Sequence, residues 1–432
     1  MVASLAGSVP AIQRRTIHVL IGTQIIGGVG AAVGISVGAL LAAELAGVRA
    51  SGLAGSAAVV GAAMVAIPAT AIMRSRGRRP GLAFGYLVGA LGAALVVAGV
   101  LAWHVPLFFT GMVLFGGGST AGLQARYAAV DLAEPHRRSR QLAVVLWATT
   151  VGAVAGPNLA PVAERLPAAW RLPEYAGAFL LSALAFLLAA AAALALLRPD
   201  PLLTARRLLV PPVADGAVVA AEPTMIGEAP VGVRGGAWRQ AVAAVRASPA
   251  AVLGISAVVL GHLIMVSVMS MTPVQISAHT TGHASVLRVV GLVLSVHIAG
   301  MYALSPVVGW LSDVLGRRRV ILGGVITLLV ACVVAGTAGA HTAGLAVGLA
   351  LLGLGWCGTM VAGSTLLSES VAAAVRPAVQ GLSDVVMGLA AASGGAVAGV
   401  IVDWLGYREL TLLAAAAALP LIGLALRART RG

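Results

Sequence analysis

Five residues in two neighbouring apolar stretches carry soft donor atoms at helical spacing. His262, Met265 and Met269 stand at i, i+3 and i+7, and His297 and Met301 at i and i+4; on a helix each set shares one face. Thioether and imidazole together favour Cu(I) over hard cations, which take oxygen. Met265 lies 15 residues beyond Ala250 and His297 14 residues before Leu311, so on antiparallel spans they meet near mid-membrane. By the same count His262 and Met301 share a second level. The expectation is one substrate site built from Met265, Met269, His297 and Met301, with His262 beside it. Methionine by itself is ordinary packing, and Met265, Met269 and Met271 taken alone read as core. Histidine changes that balance, because in lipid it is costly and faces a cavity or a partner.

Acid–base chemistry has fewer candidates. Asp384, six residues into an apolar stretch, suits proton coupling, or else capping and pairing with Arg376. Arg126, also within an apolar stretch, suits an anionic solute or a bond to Asp131. A membrane enzyme needs a nucleophile with its base, or a carboxylate-built metal cluster, and no HExxH, GxSxG or Walker-type run occurs; no catalytic residue and no cofactor is expected. Cys332 and Cys357 are the two cysteines, both inside apolar runs, which leaves no disulfide framework and no cysteine-based zinc site.

These residues sit in a chain of 432 residues that is 59% hydrophobic and 10% charged. That is too apolar for a soluble protein and suits about twelve spans of roughly 20 residues each. The net charge of +14 comes from 28 basic residues, all arginine, lying between apolar runs and not on one basic face, so nucleic acid is not an expected partner. The expected spans are 16–41, 52–73, 80–102, 105–130, 141–162 and 175–197, then 249–276, 286–311, 320–340, 342–367, 378–402 and 407–426. This divides the chain into a six-helix bundle over 1–197, a Pro-, Gly- and Arg-rich cytoplasmic linker over 198–248, and a second bundle over 249–432. With this topology 22 arginines fall in cytoplasmic segments and five outside, with Arg126 within a span. Both termini are then cytoplasmic in a multi-pass inner-membrane protein, surrounded by lipid and working as a monomer.

The two halves repeat. Gly77 and Gly316, each in an arginine-rich turn, are 239 residues apart; Asp131 and Glu369 are 238 apart; Gly152-Ala153-Val154-Ala155-Gly156 recurs at Gly395 with an offset of 243. Parallel repeats of this kind form two packed bundles with the path between them. The repeat is imperfect, since Arg74 stands where the second half has Asp313.

The stretch Gly309-Trp310-Leu311-Ser312-Asp313-Val314-Leu315-Gly316-Arg317-Arg318-Arg319 resembles the G-x-L-x-D-x-x-G-R-R signature of the major facilitator superfamily. That resemblance covers essentially the whole chain. It implies an all-α membrane fold of twelve helices in two six-helix bundles and secondary-active, alternating-access transport, with Gly309, Asp313, Gly316, Arg317 and Arg318 in gating. Gly152-x-x-x-Gly156-Pro157 is similar to a motif of proton-coupled drug antiporters of that superfamily, and helix packing explains it equally. Met265-x-x-x-Met269, His297-x-x-x-Met301 and Arg126-Tyr127-Ala128-Ala129-Val130-Asp131 resemble the bacterial copper-importer branch. By that resemblance Met265, Met269, His297 and Met301 are copper ligands and Cu(I) is the imported substrate. The alternative is proton-coupled efflux or uptake of a small organic solute or drug.

Overall fold

The protein was analysed as a computed structural model, in which residues 2–129, 131–133, 138–163, 173, 175–209, 235–372 and 375–427 are described. Their regular elements are helices: α1 (Val2–Ala46), α2 (Val48–Arg76), α3 (Arg78–Leu101), α4 (Val105–Ala128), α5 (Arg138–Ala163), α6 (Ala176–Leu196) and the short α7 (Pro201–Leu209). After the residues outside the description come α8 (Gly235–Ala247), α9 (Pro249–His279), α10 (His283–Tyr302), α11 (Ser305–Leu315), α12 (Arg317–Thr337), α13 (Thr342–Glu369), α14 (Arg376–Trp404) and α15 (Tyr407–Arg427). In a bilayer a helix satisfies its own backbone, which is why apolar runs of this length take that form. Among the described residues eleven stretches are long and apolar enough to cross a membrane. With α5, a helix of 26 residues, they make the twelve expected spans.

α1 to α6 pack on one another, as do α9 to α15, and the two groups meet mainly through α2 against α14 and α5 against α10. The repeat is visible in detail at one face. Gly77 joins α2 to α3 with φ 96° and Gly316 joins α11 to α12 with φ 90°, a region that only glycine enters freely. One residue on, the Arg78 guanidinium holds Asp131 at 2.9 and 3.1 Å, and Arg317 holds Glu369 at 3.0 Å. The next residue in each half binds the end of that half's final spanning helix: Arg79 donates to the Leu194 carbonyl at 2.7 Å, and Arg318 to the carbonyls of Ala425 and, at 2.8 Å, Leu426. Cationic donors satisfy the last carbonyls, which no helical N–H reaches.

Three expectations are corrected. The eighth span is broken: α10 ends at Tyr302 and α11 starts at Ser305, because Pro306 lacks an N–H and restricts the residue before it. The first helix begins at Val2, so residues 2–15 are not an irregular arm. The segment expected as an irregular linker carries helices at both ends, while its residues 210–234 lie outside the described residues. Asp200 starts α7 by accepting from the N–H groups of Leu202 and Leu203 at 3.0 and 3.1 Å. α8 forms because Ala241 and Val245 are buried against Ala251, Val379 and Leu382.

Candidate functional site

Between the two groups of helices, the described polar contacts lie away from the glycine turns. Arg49 meets Asp403 at 2.5 Å, Ser56 Oγ donates to the Ala392 carbonyl at 2.5 Å, and the Tyr175 ring packs edge-on against His283 at 5.2 Å. Asn158 Nδ2 donates to Ser295 Oγ at 2.5 Å, and that hydroxyl donates to the Val154 carbonyl at 3.0 Å. α2 and α14 approach so closely here that a Cβ on Gly52 would collide with the Gly395 carbonyl, and one on Gly395 would press on Ser56 Oγ. At the other, arginine-bearing face the described ion pairs stay within a group: Arg78 with Asp131, and Arg317 with both Asp313 at 2.7 Å and Glu369.

The soft-donor residues take unequal places. Met265 is 3% exposed and packed in the main core, Met271 is fully buried, and Met269 packs half-buried against the same core. Met301 is 8% exposed. His297 is fully buried; its Nδ1 donates to the Leu349 carbonyl of α13 at 2.8 Å, which leaves Nε2 as a lone pair without a partner. His262 turns toward α13, where the Trp356 indole N–H donates to its Nδ1 at 2.9 Å. Trp356 in turn meets the Tyr302 ring edge-on at 5.9 Å. The structure thus joins His262, Trp356 and Tyr302 in one polar and aromatic cluster across α9, α13 and α10.

Trp356 and Tyr302 were missed by sequence reasoning. The signal was present: Trp356 lies 13 residues before the end of α13 and His262 13 residues after the start of α9, equal depths on antiparallel helices. A buried indole N–H needs an acceptor, and His262 is the one at its level. A second polar cluster in the first half was also missed. Buried Gln24 donates to the Gly122 carbonyl at 3.1 Å and to Thr149 Oγ1 at 2.8 Å, with the Tyr86 hydroxyl 3.4 Å from its Oε1.

The remaining candidates divide by location. Asp131 is 10% exposed; burial pushes its carboxyl above the usual carboxylate range, against the opposing pull of the Arg78 hydrogen bond. Arg126 belongs to α4, but its side chain lies outside the described residues. Asp384 is on the exposed side of α14. Gly152 and Gly156 pack α5 onto α1, where a Cβ at either would strike the backbone of Ile25 or Val29, and the Pro157 carbonyl faces Gly291 of α10. Gly309 has open space around it. Where the first half lacks an acid at Arg74, Asp200 approaches from α7 and accepts from the Arg79 backbone N–H at 2.8 Å.

The sequence profile of the Major Facilitator Superfamily matches residues 283–432. Two proteins of Bacillus subtilis (strain 168), each described as an uncharacterized MFS-type transporter, are similar along the chain: YdeG is 35% identical over 98% of this chain and 93% of its own. YddS is 36% identical over 95% and 90%. The riboflavin transporter RfnT of Brucella anthropi is 26% identical over 97% of both chains. Among solved structures, a D-xylose–proton symporter shares the fold with a TM-score of 0.68 at 16% identity, covering 96% of this chain and 99% of that one.

Proposed function

The chain belongs to the major facilitator superfamily, and from that premise we propose that it is a secondary-active carrier of the inner cell membrane, seen here open to the cytoplasm. It is a membrane transporter and not an enzyme. The observation that carries the inward-facing reading is the grouping of contacts between the halves at one face, with Arg49–Asp403 and the Gly52–Gly395 approach closing it. The arginine-bearing face is then cytoplasmic, as are both termini, by the asymmetry of arginine. A single chain suffices as the working unit.

For the substrate, the cluster of His262, Trp356 and Tyr302 favours a small, flat organic solute: aromatic faces offer stacking, and few convergent polar groups fix orientation. The relative RfnT is named for such a solute, riboflavin. A second reading, Cu(I) import, is supported by one specific observation, the buried His297 Nε2 lone pair on the same helix face as Met301. The test is accumulation of labelled riboflavin and, separately, of copper in cells with and without the protein. Protein-dependent riboflavin uptake is the expected result; protein-dependent copper uptake alone establishes the second reading in its place.

A further inference from the structure

The hydrogen bond between Trp356 and His262 restricts the protonation state of the histidine. An indole nitrogen only donates, so the Nδ1 that accepts from it at 2.9 Å must carry a lone pair, and the ring is neutral with its hydrogen on Nε2. The doubly protonated ring has no lone pair to offer. A proton arriving at Nδ1 sets two N–H groups against each other and leaves the Trp356 donor, on a side chain 7% exposed, without an acceptor. One of the two rings then has to move.

The neighbour of Trp356 on its other side gives that movement a direction. Tyr302, in edge-on contact with it, is the last residue of α10, next to the break before α11. Tyr302 is 42% exposed and therefore has room to yield. Beyond the break, α11 leads to Asp313, which is paired with Arg317 and through it joined to Glu369. On the other side of the break, α10 is held to the first half by Ser295 and Gly291. The broken helix therefore has one end tied to each side of the opening, with Tyr302 at the joint.

Other titratable groups on the elements around α9 are placed differently. On α10, His297 commits Nδ1 to Leu349. On α13 and α12, Cys357 and Cys332 are buried thiols. On α14, Asp384 stands eight residues from the helix start, nearer the arginine-bearing face. On α15, Tyr407 is bonded to Thr272 toward the opposite face, with Arg408 and Glu409 beyond it. Arg239 and Arg246 of α8 lie at the arginine-bearing face, and Glu44 of α1 and Arg49 of α2 at the other.

We propose that His262 is the proton-binding residue of this carrier and that Trp356 is the latch its protonation releases, coupling a proton to movement about the joint at Tyr302. The proton comes from water at one face and is returned to water at the other after the halves have rocked. The inference rests on the carrier reading of the same region and adds to it the coupling ion and its residue.

The experiment is a distance measurement that needs no solute. Spin labels are placed at Ser75→Cys on α2 and Gln380→Cys on α14, both at exposed positions near the arginine-bearing face, in the full chain with its two native cysteines buried. Between about pH 8 and about pH 5, where histidine titrates, the distance distribution of the otherwise unaltered protein shifts. His262→Gln offers Trp356 a carbonyl acceptor that does not titrate, and Trp356→Phe removes the donor while keeping a ring; the shift is lost in both. Tyr302→Phe keeps the ring contact and keeps the shift. If the protein shows no shift, or if either His262→Gln or Trp356→Phe retains it in full, the proposal is overturned. A purely structural role would lower protein yield or Tm and leave the pH response unchanged. Absent uptake of riboflavin and copper alongside an intact, His262-dependent shift counts against the substrate reading and not against this one.

Discussion

Replacing Gly52 by alanine should open the face that is closed here. The added Cβ falls well inside van der Waals contact of the Gly395 carbonyl, and that obstacle is backbone, so no side chain can rotate out of the way. The helices α2 and α14 have to separate, which puts the cost near the upper end of the usual range for overpacking, about 3 kcal/mol. Alanine returns about 1 kcal/mol as the better helix former. The remaining ~2 kcal/mol acts on the closed conformation and should raise the population open at that face about thirtyfold. Ser277 lines a cavity of about 290 Å3 at that face, together with Glu44, Tyr175 and His283, and a cysteine there reports its opening. The assay is the rate of labelling of Ser277→Cys by a membrane-impermeant maleimide, with and without Gly52→Ala. Gly55, three residues on, has open space around its position, so Gly55→Ala is the control and should leave the rate unchanged. An unchanged rate in Gly52→Ala at normal protein level, or an equal rise in Gly55→Ala, refutes the assignment of this contact as the closure.

Other expectations follow from the same geometry. Asp313→Asn removes one of the two carboxylates on Arg317 without touching the His262 cluster, so turnover should fall more than solute affinity; weakened binding at normal turnover contradicts that role. The carboxyl of Asp131 is raised above its ordinary value near 3.8. Its contribution to the folded state is therefore full below that value and is lost as pH rises through the raised one, and the Tm of the wild type relative to Asp131→Asn should fall across that window. Constancy of the Tm difference there would exclude the burial argument. Met265→Leu should be silent for copper and riboflavin uptake, since Met265 is packed in the core and leucine fills a similar volume; loss of copper uptake at normal abundance would restore Met265 as a ligand. A cysteine at Ser75 should be labelled from the cytoplasmic side alone, and labelling from outside intact cells overturns the topology.

The fold was legible because its signals are local and repeated. Apolar length marks the spans, and the equal spacing of Gly77 and Gly316 marks the duplication, down to the partners of the two following arginines in each half. The break at Pro306 was also written in the sequence but was outweighed by the uninterrupted hydrophobicity around it. The site was less legible. Depth counting placed His262 and His297 at reasonable levels, yet it says nothing of azimuth, and both turned toward α13 through partners outside the paired motifs, Trp356 and Leu349. A methionine-based pattern has a further weakness: thioethers pack as readily as they ligate, and core burial of Met265 has the same sequence signature as a soft-metal site. Asp200 was hidden for another reason, since its role at the Gly77 turn depends on a contact across 121 positions.

The arginines that grip the ends of α6 and α15 bear on what joins the halves. Arg79 fastens the start of α3 to the last spanning helix of its own half, and Arg318 does the same for α12. Each bundle is thereby clasped into a ring by its own third spanning helix and owes none of that closure to the other bundle. The intervening segment then has little mechanical work: it holds two finished bodies at high effective concentration, a task that depends on reach far more than on sequence. Insertions or cuts there would change how often the bodies meet and leave each one's shape as it is.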